Sequence, residues 1–262
     1  MTNAANEAIR TSTAGRVLTV TIDRPEARNA LRVVDKRRIT EIVTAVTGAD
    51  VGCIVLTGAG AHAFCAGSDL KEMSGMDSAS FLAMQEVERA MYDAMMRCPV
   101  PIVAAVHGWA LGTGCVLAAV SDLVLADPDS RFGQPEILNG APTPIHGALL
   151  PQIVGLARAR WLVLTGRTID AELAERWGLV NEVTVAGGVL EAATALGAEL
   201  GQIHPGSMAL QKRIVDSWVR HPFDAAVSAS MYIAASAYDS GWPQSAAERM
   251  RGRSLRGRSG TS

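Results

Sequence analysis

Apolar and polar positions along this chain switch between a period of two and a period near 3.6. Residues 16–22 alternate hydroxyl-bearing and aliphatic side chains, which predicts a strand, and Pro25 ends it. Asp35 then stands where it caps a helix running through Ile39, Ile42, Val43 and Val46. Residues 53–57 form a short apolar run, read as a buried strand closed by Gly58-Ala-Gly60. Within 79–97, Phe81, Met84, Val87, Met91 and Met95 recur at helical spacing until Pro99 and Pro101 stop the pattern. A strand over 102–106, a turn into a short helix over 108–120 and a strand over 122–126 follow. Beyond residue 145 the pattern is almost wholly helical. Asp170 caps a helix that Gly178 closes, and a short strand covers 179–183. Helices are then predicted near 186–201, 205–219 and 223–239.

Strand–strand–helix units recur loosely, without a fixed residue period. The alternation also suits a doubly wound nucleotide-binding sheet, but the fingerprint is missing. Gly112-Thr-Gly114 is followed by Leu117 where the third glycine belongs, and no G-x-x-x-x-G-K-[ST] run occurs. Residues 100–120 carry no formal charge, a length that reaches across a bilayer. Pro101, His107, Gly108, Gly112, Thr113 and Gly114 interrupt the stretch, so it reads as a buried strand–turn–helix.

Composition narrows the classes further. The 262 residues are 48% hydrophobic with a formal net charge of -2, which excludes wholesale disorder and argues against nucleic acid as a partner. With 25 glycines and only 5% aromatics, the core must be built from small aliphatic side chains. Cys53, Cys65, Cys98 and Cys115 show neither C-x-x-C nor zinc spacing and read as reduced thiols of a cytoplasmic protein. The first residues lack the basic-then-apolar order of a signal peptide. Residues 249–262 hold five arginines among Gly and Ser, either a solvated tail or a contact for ligand phosphates.

Two glycine-rich segments carry chemistry. Cys65-Ala-Gly-Ser-Asp69 leaves a strand and turns, and Gly112-Thr-Gly114 opens a helix after a turn. Uncommitted N–H groups at such turns attract negative charge, and two that converge on one point make an oxyanion hole. A third segment, Arg131-Phe-Gly-Gln-Pro-Glu-Ile-Leu-Asn-Gly140, offers Glu136 on what reads as an extended segment.

In this order, together with Arg24-Pro-Glu-Ala-Arg-Asn-Ala-Leu31 and Gly178-Leu-Val-Asn-Glu-Val183, these segments resemble the crotonase superfamily, the enoyl-CoA hydratases and isomerases. The resemblance covers about two-thirds of the chain. It implies an α/β fold: a spiral of ββα units over residues 1–200, then a helical, basic-tailed region over 201–262 through which trimers or hexamers assemble. It implies an acyl-CoA thioester substrate, with coenzyme A part of the substrate and no separate cofactor or metal. The backbone N–H groups of Ser68 and Thr113 would form the oxyanion hole, and Glu136 would exchange a proton with the substrate. Ala66, Gly67, Asp69, Leu70, Lys71 and Gly112 would bind the thioester, with Ala27, Arg28 and Ala30 along the CoA edge.

The chain departs from the family pattern twice. Two-glutamate hydratases carry a second glutamate after the glycine-rich turn, where this chain has Val116. Downstream, a usually glycine-rich stretch reads Ala141-Pro-Thr-Pro-Ile-His-Gly147, which offers His146 as a replacement proton carrier or as a plain loop histidine. Single-carboxylate chemistry such as a double-bond shift stays available. A carbon–carbon hydrolase working through His146 on a non-CoA diketone, and a catalytically degenerate acyl-CoA-binding protein, stay open. A serine hydrolase based on Ser68 with His62, His107 or His146 lacks the G-x-S-x-G elbow.

Overall fold

The computed structural model describes residues 8–142 and 145–239. The first sheet has six strands in the order β1 (Ile9–Ala14), β2 (Val17–Ile22), β3 (Cys53–Gly58), β5 (Ile102–Val106), β7 (Leu123–Ala126) and β10 (Glu182–Val183). The β1–β2 hairpin is antiparallel; every later pairing in this sheet is parallel. The second sheet has four short strands in the order β4 (Ala63–Cys65), β6 (Trp109–Leu111), β8 (Arg131–Gly133) and β9 (Thr168–Asp170).

The chain alternates between the sheets, β3 then β4, β5 then β6, β7 then β8, and so winds a spiral. Helices α1 (Val33–Ala45), α2 (Leu70–Met73), α3 (Ser78–Arg97) and α4 (Thr113–Val120) fill the turns. The strand–strand–helix recurrence expected from the sequence is this spiral. Its period is irregular because the helices differ in length. Short helices α5 (Leu150–Val154), α6 (Leu156–Thr165) and α7 (Ala171–Trp177) follow, then α8 (Val189–Leu200), α9 (Pro205–Arg220) and α10 (Phe223–Asp239).

Period-two alternation divides the core. Cys53 and Val55 of β3 join Val103, Ala105 and Leu125 against Val189 and Ala193 of α8. Ile54 and Leu56 face the other way, into the cluster that holds Ile39, Met91, Met95 and Leu117. Small residues on β5 and α4 let the layers approach closely, as the scarcity of aromatics requires. Helix α9 is tied to this core by Lys212, whose Nζ donates to the Val100 carbonyl and to Asp122. No helix among the described residues is long and apolar enough to cross a membrane.

Several elements differ from expectation for local reasons. Asp35 caps α1 from inside: it is not the N-cap residue but stands at the third helical position, where its side chain accepts from the Arg32 N–H at 2.9 Å in a capping box, so the helix starts earlier. Strands β1, β6, β8 and β9 were not predicted, and β4 only as the strand that Cys65 leaves; β4, β6, β8 and β9 are each three residues long, too short for a readable alternation. Asp170 and Gly178 do bound α7, with Gly178 at φ +84° accepting the left-handed turn. The arginine-rich segment 249–262 lies outside the described residues.

Candidate active site

Strands β4, β6 and β8 are parallel neighbours, so their C-terminal ends lie side by side. Ser68 follows the end of β4, Thr113 that of β6 and Glu136 that of β8. The three candidate catalytic groups thus come from consecutive turns of the spiral. Glycines make the approach possible. Gly112 has φ +52° and ψ -119°, and a Cβ there would stand 2.5 Å from Oε1 of Glu136. The Glu136 carboxylate therefore rests against the second glycine turn. Gly67 has φ +107°, and a Cβ on it would lie 3.8 Å from the Thr113 nitrogen, which places the two turns in contact.

Glu136 is not on an extended segment as the sequence suggested. It lies in the first turn of a 3-10 helix, Pro135–Asn139. Pro135 is the reason: proline restricts the residue before it, Gln134 at φ -123° and ψ 77°, while itself opening a helix. Gln134 then donates to the Gly112 carbonyl at 3.2 Å, tying the Glu136 segment to the second turn.

Ser68 and Thr113 both line the cavity at this junction. Thr113 opens α4, where the first N–H groups have no intrahelical acceptor. The first turn is held from the other side by the segment 24–31. The Leu31 N–H donates to the Gly67 carbonyl at 2.8 Å, and the Ala66 N–H donates to the Arg28 carbonyl at 3.0 Å. Buried Asn29 donates to the Ala59 and Ala63 carbonyls, with Arg28 and Asn29 both in left-handed conformation. Ala27, Arg28 and Ala30 accordingly run along the first turn. Asp69 caps α2 through the Lys71 and Glu72 N–H groups and pairs with Arg24 at 3.0 Å. Burial pulls its pKa up, but these donors outweigh it and the net shift is downward. Lys71 and Leu70 are exposed at the rim.

A cavity of about 780 Å³ opens over the two turns. Ala66, Gly67, Ser68, Gly112, Thr113 and Glu136 form its polar end, while Leu70, Met73, Phe81, Met84 and Val116 supply apolar wall. Two acidic residues and no basic one line it among the described residues.

The sequence matches the description Enoyl-CoA hydratase/isomerase over residues 12–240. The chain belongs to the enoyl-CoA hydratase/isomerase family. It is 31% identical over 217 residues to the short-chain-enoyl-CoA hydratase of Clostridium acetobutylicum, covering 82% of this chain and 83% of that one. With the 2,3-dehydroadipyl-CoA hydratase of Escherichia coli it shares 37% identity over 198 residues, 75% and 76% of the two chains. Its fold superposes on the crystal structure of an enoyl-CoA hydratase from Polaromonas sp. JS666 with a TM-score of 0.86 at 25% identity, covering 94% and 97%. As a member of the enoyl-CoA hydratase/isomerase family it is an enzyme of acyl-CoA chemistry, and the α/β crotonase spiral is its fold.

Within this family fold the cavity wall holds a buried polar cluster that sequence reasoning missed. Lys36 on α1 is fully buried and pairs with Glu88 on α3. Lys36 Nζ also donates to Ser68 Oγ at 2.8 Å, and Ser68 Oγ lies 2.9 Å from Thr113 Oγ1. The Thr113 hydroxyl donates to Glu88 Oε1 at 3.0 Å, as does the Tyr92 hydroxyl at 2.8 Å. The side chains of Ser68 and Thr113 are thereby cross-linked through one ion pair. The signal was present: Lys36 falls on the α1 stripe with Ile39, Val43 and Val46, and Glu88 falls on the α3 stripe with Phe81, Met84, Met91 and Met95. Opposite charges on the inward faces of two packed helices call for each other.

The histidines stand elsewhere. His146 Nε2 lies 3.5 Å from Asp93 Oδ1 and its ring meets Tyr92, outside the cavity lining. Burial lowers its pKa below the usual histidine value, opposed by Asp93. His62 and His107 are also absent from the lining, and the partners of the Ser68 hydroxyl among the described residues are Lys36, Glu88 and Thr113. The four cysteines are free and buried. Burial pushes the Cys65 thiol up to about 12 and Cys115 to about 11, so neither is a thiolate nucleophile at neutral pH.

Gly112→Ala tests the turn directly. Its backbone region is one that L side chains rarely adopt, so the variant is expected to lose about 1–3 kcal/mol of stability in urea titration. Activity should fall as well, because the new methyl group displaces the Glu136 carboxylate. A variant with unchanged stability and rate would show that the turn tolerates a side chain.

Proposed function

We propose that the enzyme moves a proton at the carbon next to an acyl-CoA thioester, using Glu136 as its single acid/base. The Ser68 and Thr113 N–H groups polarise the thioester carbonyl and hold the negative charge of the enolate. Two donors aimed at the charge that develops in the transition state are the strongest device available here; losing one typically costs about 10²–10³ in rate. Glu136 takes a proton from one carbon and returns it to another, which shifts a double bond along the acyl chain.

The observation that carries this is the contact of Oε1 of Glu136 with Gly112, which brings the base to the oxyanion turns. Val116 supports single-carboxylate chemistry: it lines the cavity, it stands where the family resemblance implies the second acid of two-glutamate hydratases, and its side chain holds neither water nor proton. Glu88 is no substitute base, since Lys36, Tyr92, Thr113 and Ser68 already donate to its two oxygens. Exposed Trp218, Phe223, Met231 and Tyr232 on α9 and α10 support assembly of trimers or hexamers through that region. The buried, unpaired thiols support a reducing, cytoplasmic setting.

Enoyl-CoA esters incubated in deuterium oxide and followed by mass test this reaction. Deuterium uptake and double-bond migration, with slow gain of water, are expected. Rapid hydration would show that a second acid/base operates in the cavity. Binding without any exchange would show a degenerate homologue.

A further inference from the structure

Gln85 sits on α3 one turn before Glu88, about 4.5 Å along the helix axis. Its side chain is buried, with the residue 8% exposed, and it lines the acyl cavity. Its Oε1 has no hydrogen-bond partner among the described residues and is itself closed to solvent. An amide buried without partners is unfavourable, and since the residue lines the cavity, it is the amide group, free to turn about its last torsion, that a group entering the cavity would pair with. The surrounding wall of Phe81, Met84, Leu70 and Met73 supplies none.

We infer that the cavity selects an acyl chain bearing a neutral hydrogen-bonding group, a hydroxyl, and that Gln85 is the residue that reads it. This rests on the assignment of the cavity as the acyl site. A plain alkyl chain displaces any water from the Gln85 amide and leaves it unpaired. A hydroxyl restores the bond whichever end of the amide faces the ligand. A carboxylate is disfavoured, because Glu136 lines the cavity with no basic side chain beside it in the lining among the described residues, and Lys36 behind the wall is already paired with Glu88. The preference therefore differs from an acid-tailed acyl chain such as that named for the Escherichia coli relative.

The test uses a matched set of enoyl-CoA esters of each chain length: unsubstituted, hydroxyl-terminated, methyl-ether-terminated and carboxylate-terminated. Kinetics of exchange are read as kcat/KM. The hydroxyl ester is expected to exceed the unsubstituted one by about tenfold at the matching length, with the carboxylate ester the poorest. In Gln85→Leu, and in Gln85→Met as the closer match in shape, the hydroxyl-to-alkyl ratio should fall to about one, the loss lying mainly in KM. Equal rates for both esters in the unaltered enzyme would overturn the inference, with no variant needed. Equal losses for both esters in the variants would also overturn it, by making Gln85 merely structural. If no ester exchanges, the proposed reaction fails instead, and competition among the same esters for binding still reads the preference.

Discussion

Glu136→Gln is expected to lower turnover by about 10²–10⁴ while the protein continues to bind CoA esters. The amide keeps the size of the carboxyl group and its place in the first turn of the 3-10 helix. The oxyanion turns and the cavity wall are left intact, so the thioester is still held and polarised. What disappears is the carboxylate beside Gly112 that takes the proton in the proposed reaction. The loss should fall on kcat, with KM little changed, and solvent deuterium should stop entering the substrate. Near-normal exchange in this variant, measured alongside ester binding by calorimetry, would remove Glu136 from the mechanism.

Lys36→Met should destabilise the fold by about 3–5 kcal/mol, because it strands the Glu88 carboxylate in the cavity wall without its cation. The double variant Lys36→Met with Glu88→Gln is expected to recover most of that loss. Gln at 88 is neutral and still accepts from the Tyr92 and Thr113 hydroxyls. Urea unfolding of the two variants decides the matter. A single variant within about 1 kcal/mol of the parent would mean that the pair is not a structural clamp. The double variant also separates stability from rate: refolded but slow, it would show that the ion pair sets the spacing of the Ser68 and Thr113 turns.

The longer elements were legible because their periods are long. Helix α3 spans enough turns for Phe81, Met84, Met91 and Met95 to declare its inner face, and Asp170 and Gly178 bracket α7 with cap chemistry alone. The second sheet was not legible: three residues such as Arg131–Gly133 contain no period at all, and its pairing comes from the spiral. At the site, the two glycine turns were legible in the residues themselves, whereas Ser68, Thr113 and Glu136 were singled out through the family resemblance; the structure brings all three to one cavity. Lys36, Gln85 and Glu88 were passed over because charged and amide residues inside a helix read as solvent-facing. Only the packing of α1 on α3 turns Lys36 and Glu88 inward, and burial of Gln85 needs the cavity itself. Glu136 was placed on the wrong local structure because Gln134-Pro135 was taken to extend beyond the proline, whereas the restriction acts on the residue before it.

Strands β4, β6 and β8 run parallel in one sheet. Neighbouring strands in a sheet stand about 4.8 Å apart. The hydrogen-bond pitch of the sheet therefore acts as a ruler, spacing Ser68, Thr113 and Glu136, the two donors and the proton carrier of the proposed reaction, along a common edge. Each mark on that ruler belongs to a different turn of the spiral and is followed by its own loop. A change in the loop after one strand can alter a single chemical role without disturbing the other two.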